Sequence, residues 1–598
     1  MYKSFFIFIL FLFVPISVSM ANDFAQSEDW LKLLHYQKMS NNEYQGLVEN
    51  EDFYLNENGR NNPQIEFDTA VEYFSQNKRK CDFPARFNLL KKYGFISGDL
   101  EDCIEYRQFI EDIQPNGITL IFTSAYMSNP ASLFGHTLIR VDTKRKGSQM
   151  LAHGANFGAN SGAETGVTFI LKGLFGGYMG VYSINPYWDI INTYNNIENR
   201  DIWEYKLNLT HEEEIKFVNH LYELKNAQIK YFFLTKNCSY MLLELLEAVR
   251  PSLELTDNHP IWAIPLDTLK TVNSISNLIE NANYRPSRYT KIKNLIDNMD
   301  NQQYQAFLKG IKDYDYSIKL SDEKYSDVLE AQYQYFQYKY IMKDIELKEY
   351  RKNSFEVLRK RSAMPQAHER IIKGENPIHS HNSSQISLAV GSHNGKTFEE
   401  IQLRPTYTSL TDSTYGLVKG AEIEVLNSKW RYFNQSHKFL LNELSLINIK
   451  SLVESNRTFS PVSYSTYLGI KRKINLQTSK EGYVGNLNIG IGRTYNFFDY
   501  FWIYGMLKIG GEYGGFIPGN QWGGFIPELG VYKDFGKVRL HYIFENSWAT
   551  RNFGNILSNK FMLSWGFGYN FSLDAFYRNS KSSEFTDEEF SLGIKYSF

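Results

Sequence analysis

Residues 589–598 read EFSLGIKYSF, with Phe590, Leu592, Ile594, Tyr596 and Phe598 on one side of an extended chain and Ser591, Gly593, Lys595 and Ser597 on the other. Strict two-residue alternation of this kind belongs to a strand with one apolar and one polar face. The same period begins near Ser384. It continues through 385–392, 399–408, 416–426, 439–449, 463–474 and 483–495, then through 500–512, 522–533, 537–546, 560–569 and 571–578. Asn, Gly, Asp and Ser cluster between these segments. About twelve strands of roughly ten residues are expected, the length and even number of an antiparallel barrel crossing an outer membrane. A soluble β-sandwich is the alternative. The abundance of aromatics, 42 Tyr and 43 Phe among 598 residues, argues for the barrel, whose outer face and girdles they supply.

Outward from that segment the pattern changes. Residues 256–383 are expected as a helical spacer, and 322–361, rich in Glu, Lys, Tyr and Leu without Pro or Gly, as one long amphipathic helix or two stacked ones. Residues 22–112 read as a helical N-terminal domain, with Trp30, Leu33 and Leu34 at helical spacing and no visible chemistry. Between them, 113–255 mix both periods. Strands are expected at 118–126, 134–141, 149–157 and 202–209, and Thr210 is expected to cap a helix whose first turn carries Glu212–Glu214. Residues 1–21 have the charge, apolar run and Ser19-Met20-Ala21 site of an export signal. Formal net charge is −2 with no long run of one sign, so nucleic acid is not an expected partner.

Export carries the chain into a compartment where disulfides form. Its three cysteines are Cys81, Cys103 and Cys238. Cys81 and Cys103 are close in sequence in one helical, polar region, and their pairing is the economical one, leaving Cys238 as a free thiol; two reduced structural cysteines are the alternative. Cys238 lies in 230–251, KYFFLTKNCSYMLLELLEAVRP, where a strand-like aromatic run breaks at Thr235-Lys236-Asn237 and an apolar helix begins. A thiol at a helix start faces unsatisfied N–H groups and the positive end of the dipole, both of which favour thiolate. A buried structural cysteine is the alternative. A nucleophilic thiolate needs an imidazole and a group to orient it. His136, after Phe134-Gly135 at a strand start, is the candidate base, and His153 and Asn156 on the next strand are candidate orienters. Ser132 lacks a nucleophile-elbow pattern and ranks below Cys238 as a nucleophile. No His or Cys pair here has ligand spacing, so neither metal nor cofactor is expected.

Several of these residues also resemble a family. The runs Ser124-Ala125-Tyr126 to Ser132-Leu133-Phe134-Gly135-His136-Thr137-Leu138-Ile139-Arg140, Leu171-Lys172-Gly173-Leu174-Phe175-Gly176-Gly177-Tyr178, Arg200-Asp201-Ile202-Trp203-Glu204-Tyr205 and Tyr231 to Tyr240 are similar, in order, to the DUF4105 family, the N-terminal periplasmic domain of the lipoprotein transacylase Lnb. The resemblance covers about 114–251. It implies a papain-like (NlpC/P60-like) α+β fold in permuted order, His before Asn-Cys, with Cys238 as nucleophile and His136 as base. In that setting Ser132, Asn237 and Tyr178 are candidate substrate-binding residues. The fold class expected is therefore multidomain: a permuted papain-like domain flanked by helical segments, then a transmembrane barrel. The chain departs from the transacylase at its far end, where that protein has membrane helices.

Together these readings give a periplasm-facing cysteine acyltransferase or hydrolase anchored in the outer membrane, touching its lipids and acting on a lipid or lipoprotein acyl group. A cell-wall peptide is the competing substrate. A reading from another class is a barrel pore or assembly factor whose periplasmic domain binds a partner and catalyses nothing.

Overall fold

The computed structural model describes residues 23–125, 134–145, 149–162, 164, 166–313, 320–365, 371–474, 481–497, 501–515, 520–549, 555–582 and 585–598. The export signal and Ser132 lie outside the described residues. The chain divides into two compact units, one of residues 1–123 and 136–288, the other of 124–135 and 289–598.

In the first unit, α1 (Glu28–Leu33) starts on Ser27, whose side chain accepts from the Trp30 N–H, and runs into a short hairpin of β1 (Tyr36–Lys38) and β2 (Tyr44–Gly46). Helices α2 (Pro63–Ser75), α3 (Pro84–Lys92) and α4 (Ile104–Ile113) follow. Phe24, Trp30, Phe67 and Phe95 form an aromatic core, with Trp30 edge-on to Phe67 at 5.6 Å. Cys81 and Cys103 are bonded, tying the turn before α3 to the start of α4.

The chain then lays down a seven-stranded antiparallel sheet: β3 (Pro115–Thr123), β4 (His136–Thr143), β5 (His153–Ala159), β6 (Tyr178–Pro186), β7 (Ile202–Leu207), β8 (Gln228–Tyr231) and β9 (Ile279–Arg285), in the order β8-β6-β5-β4-β3-β7-β9. Between these strands come α5 (Gly166–Phe175), α6 (Tyr187–Ile191), α7 (His211–Glu223), α8 (Cys238–Val249) and α9 (Pro265–Ser274). Strand β9 lies inside the stretch expected to be helical spacer. A capping box at Thr210 and Glu213 starts α7. Ile121, Leu138, Ile190 and Ile202 form the core on one side of the sheet. A buried ion-pair set pins the sheet across its strands: Arg140 reaches Asp142 at 2.6 Å and Glu204 at 2.8 Å, and Arg285 on β9 reaches Glu204 at 3.0 Å. Helix α8 packs against β4 and β5 with nearly every side chain buried.

In the second unit, α10 (Arg288–Asp297, its first residue in the first unit), α11 (Asn301–Gly310), α12 (Asp322–Ile341) and α13 (Leu347–Arg361) form a helical module. The 322–361 stretch is thus two helices, broken at Lys343, whose φ of 60° is left-handed. Twelve strands close into a barrel: β10 (Gln385–His393), β11 (Lys396–Arg404), β13 (Ala421–Phe433), β14 (Lys438–Ser451), β16 (Ser463–Ile474), β17 (Glu481–Phe497), β18 (Phe501–Tyr513), β19 (Gln521–Asp534), β20 (Val538–Ala549), β21 (Asn555–Gly566), β22 (Phe571–Lys581) and β23 (Thr586–Ser597). Two short strands, β12 (Thr406–Thr408) and β15 (Glu454–Ser455), lie at one end. Closure is antiparallel, with β10 pairing β23 and β11 pairing β13, so among the described residues the twelve-strand wall has no free edge. Ile489, Ile491, Leu507, Ile509, Leu592 and Ile594 point outward and are exposed, while Tyr504, Lys508, Glu528 and Ser591 point inward and are buried. Outward Tyr495, Phe501, Trp565 and Phe571 sit near the strand ends where the chain enters and leaves the barrel, and Tyr513, Phe525 and Trp548 near the other ends. An apolar belt between aromatic girdles is the surface a membrane-spanning barrel needs. Among the described residues no helix is long and apolar enough to cross a membrane.

Candidate active site

Cys238 is the first residue of α8 and only 5% exposed. Its N-cap is Asn237, whose Oδ1 accepts from the backbone N–H groups of Ser239 and Tyr240 at 3.1 and 3.2 Å and from the Ser239 hydroxyl at 2.8 Å. The Asn237 amide donates to the carbonyls of Phe233 at 3.0 Å and Ala263 at 2.6 Å. Its polar atoms are therefore committed to holding the loop and capping the helix. Asn237, expected to bind substrate, is a capping residue.

His136 opens β4 opposite Thr123 of β3. Gly135 before it has φ +77°, a left-handed conformation that a Cβ would strain. Nε2 of His136 lies 2.9 Å from Oδ1 of Asn156 on β5. The amide oxygen is an acceptor, so Nε2 carries hydrogen, and Nδ1 is left for the thiol of Cys238, to which the imidazole is hydrogen-bonded. The structure thus brings Cys238, His136 and Asn156 into one line. His153 is not part of it. It sits at the far end of β5 opposite Val141, and Arg145 and Asp112 are the charges that act on it. Burial lowers its affinity for a proton.

Tyr231, at the end of β8, completes the surroundings of the thiol. The Cys238 N–H points to its hydroxyl at 3.4 Å, and that hydroxyl also hydrogen-bonds the sulfur. Its ring stacks on Phe157 at 5.7 Å. Burial pushes the Cys238 thiol up, but the charge and hydrogen bond of His136, the Thr137 N–H and the Tyr231 hydroxyl bring it down to about 7. Burial disfavours the charged form of His136, and the thiolate of Cys238 more than offsets this, raising its affinity for a proton. Both shifts favour a thiolate beside an imidazolium. Burial and the neighbouring thiolate drive the Tyr231 hydroxyl upward, which keeps it a donor.

Two further side chains frame the base. The ring of Tyr194 lies 5.5 Å from that of His136 at 30°, and Arg200 sits over Tyr194 at 5.2 Å. Arg200 pairs with Glu198 at 2.6 Å and donates to Thr123 Oγ1 at 3.1 Å. Its charge opposes protonation of His136. Tyr178, also expected to bind substrate, donates its hydroxyl to Glu164 at 2.7 Å, and Glu164 also holds Lys172 at 2.6 Å. Helix α5 is pinned to the loop before Cys238: the Phe233 N–H donates to Gly173 O at 2.8 Å, and a Cβ on Gly173 would stand 2.3 Å from the Phe233 ring. Among the described residues the one group with converging metal-ligand atoms is Cys81, Asp102 and Cys103, whose sulfurs the disulfide uses.

A closed barrel with an apolar belt is an outer-membrane architecture. The chain is accordingly an outer-membrane protein carrying a separate α+β domain on a cysteine–histidine site. That domain is of a known kind: residues 105–274 match the family model of the Lnb N-terminal periplasmic domain. Residues 22–93, 282–371 and 374–596 match three domains of unknown function, DUF7843, DUF7842 and DUF7840. The chain thus carries an Lnb-type periplasmic domain joined to a twelve-strand barrel. No curated protein matches it. Among solved structures, 36% of the chain is similar to 98% of OmpTdeltaL8, an outer membrane protein of Vibrio cholerae, at 9% identity and a TM-score of 0.21. The same share is similar to 99% of a KdgM porin at 10% identity and a TM-score of 0.23. It is similar also to 87% of the translocator domain of the autotransporter NalP from Neisseria meningitidis, at 12% identity and a TM-score of 0.20.

Proposed function

We propose that this protein is an outer-membrane-anchored cysteine acyltransferase or hydrolase with a permuted papain-like domain, acting on a lipid or lipoprotein acyl group. The single observation that carries the reading is the line from Cys238 through His136 to Asn156. The Cys238 thiolate attacks an acyl ester or amide carbonyl and forms the S–C bond. The Cys238 N–H and the Tyr231 hydroxyl, which meet beside the sulfur, turn to the oxyanion and stabilise it. As the intermediate collapses, the C–O or C–N bond breaks and the His136 imidazolium gives its proton to the departing alcohol or amine. Neutral His136 then takes a proton from an incoming amine or water, which attacks the thioester and frees Cys238. Asn156 holds the imidazole orientation through both steps. The preference for a lipid acyl group rests on the barrel, which keeps the chain at a membrane, and on the Lnb-type family.

Mass spectrometry of Cys238 after incubating the purified full-length chain with native membrane lipids tests this. The expected result is a hydroxylamine-sensitive acyl adduct on wild type, absent from Cys238→Ala and accumulating in His136→Asn only after much longer incubation. A peptide-bearing adduct from cell-wall fragments would move the substrate to the cell wall. Wild type that acquires no adduct from either source would sink the enzymatic reading.

A further inference from the structure

Helix α13 has two unlike sides. Tyr350, Ser354, Val357 and Arg361 turn inward, and Val357 packs with Leu329 and Phe336 of α12 while Tyr350 stacks on Tyr340 at 4.8 Å. On the outside, Leu347, Arg351, Phe355 and Leu358 recur at spacings of four, four and three, and beside them run Lys348, Lys352 and Arg359, spaced four and seven, with Glu356 between the last two. The seven apolar and basic residues are exposed, and Phe355 is 65% exposed. The two acids of the helix, Glu349 and Glu356, lie beyond the cations from the apolar stripe, Glu356 pairing with Arg359 at 2.9 Å. Six basic and two acidic residues leave Leu347–Arg361 with a formal charge of +4. Single exposed apolar residues are ordinary, but a stripe of them bordered by cations and free of acids is the face of a helix that lies in a lipid interface.

The location of α13 supplies the second argument. Its module is fixed to the barrel by Phe459, in the turn between β15 and β16. The Phe459 ring meets Tyr289 at 4.8 Å, Tyr338 at 5.3 Å and Tyr335 at 6.2 Å, with Lys293 and Glu454 paired nearby at 3.5 Å. That turn is at the end of the barrel where the chain enters β10 and leaves β23, so the module sits at one rim of the membrane-spanning wall.

We propose that the outer face of α13 docks on an anionic phospholipid surface, its cations on headgroup phosphates and Phe355 and Leu358 in the acyl boundary. This does not depend on the catalytic reading. The occupant follows from charge complementarity, the helix carrying +4, and from the membrane to which the barrel commits this module.

The full chain, reconstituted in bilayers of phosphatidylcholine alone or mixed with phosphatidylglycerol, provides the test. A polarity-sensitive fluorophore is placed through Phe355→Cys, or Leu358→Cys to retain Phe355, in a Cys238→Ser background, with Glu349→Cys as the control on the acidic side. The expected result is a blue shift and several-fold stronger quenching by nitroxide lipids at 355 or 358 in phosphatidylglycerol bilayers, with position 349 open to aqueous iodide. Adding Lys348→Glu, Arg351→Glu and Lys352→Glu should abolish the shift while the barrel keeps its heat-modifiable mobility. Positions 355 and 358 both open to iodide in every bilayer would overturn the proposal. So would an equal shift in both lipids, or one that follows protein concentration in detergent, which would point to a second copy.

Discussion

A thiol that ionises near 7 while almost wholly buried needs a partner, because burial alone drives it the other way. His136 is that partner, and removing it should expose the burial effect. In His136→Asn the midpoint of the pH dependence of Cys238 alkylation by iodoacetamide is expected to move from about 7 to above the ordinary thiol value of 9.0. A midpoint left at about 7 would take the imidazole out of the mechanism. Asn156 acts through His136, and losing a hydrogen bond to a charged, half-buried ring should slow acyl transfer roughly tenfold to a hundredfold. Asn156→Asp should restore part of the rate, which a merely structural loss would not permit. Tyr231→Phe removes one oxyanion donor and is expected to cost about a hundredfold to a thousandfold in turnover with substrate affinity little changed. Of these residues, Cys238 and His136 stood out in the sequence because each sits at a break between local structures, a helix start and a glycine before a strand. Asn156 was one of two polar choices on its strand, and only the pairing of β4 with β5 separates it from His153. Tyr231 and Arg200 lie in runs that resemble the family, yet neither is singled out by its sequence as a site residue, since their placement comes from strand pairing and from the turn before β7.

At the scale of elements, α8 carries the nucleophile on a back face that is polar as well as apolar. Glu244 accepts from His35 at 3.3 Å, His35 meets His220 on α7 at 3.1 Å, and Glu247 holds Lys32 at 2.6 Å and the Thr256 N–H at 2.6 Å. These bonds join the N-terminal helices to the helix under Cys238, so truncating one should loosen the site from behind. Glu244→Ala strands His35 in the interior and is expected to cost about 1–3 kcal/mol, read as a lowered melting temperature, and to slow Cys238 alkylation at fixed pH. Breaking the Cys81–Cys103 bond by paired Ser substitutions should cost about 3 kcal/mol without changing the alkylation midpoint, since neither sulfur approaches the site. Period and alternation made the barrel strands and the α12–α13 stretch readable. Strand β9, IENANYR, escaped because an exposed edge strand has no apolar face to alternate, and β1 and β2 because three residues cannot show a period.

The whole molecule raises the question of whether the barrel conducts. Its inward side chains include charged groups that pair across the lumen. Lys450 on β14 reaches Glu528 on β19 at 2.7 Å, Lys508 on β18 reaches Glu545 on β20 at 2.7 Å, and Arg431 on β13 joins Glu400 at 2.6 Å and Glu589 on β23. At the rim where the chain enters, the segment after β12 folds inward. Leu410 packs with Leu452, Tyr504, Met506 and Tyr532, and Asp412 binds Arg404 at 2.6 Å. An ion moving through would have to separate buried pairs, each leaving a charge uncompensated in a confined, poorly hydrated space. The full-length protein in planar bilayers is therefore expected to give no resolved conductance steps. Deleting 409–417 together with Lys450→Ala and Glu528→Ala should produce them. Steady ohmic steps from wild type would mean that the lumen pairs part readily, and the barrel would then be a conduit as well as an anchor.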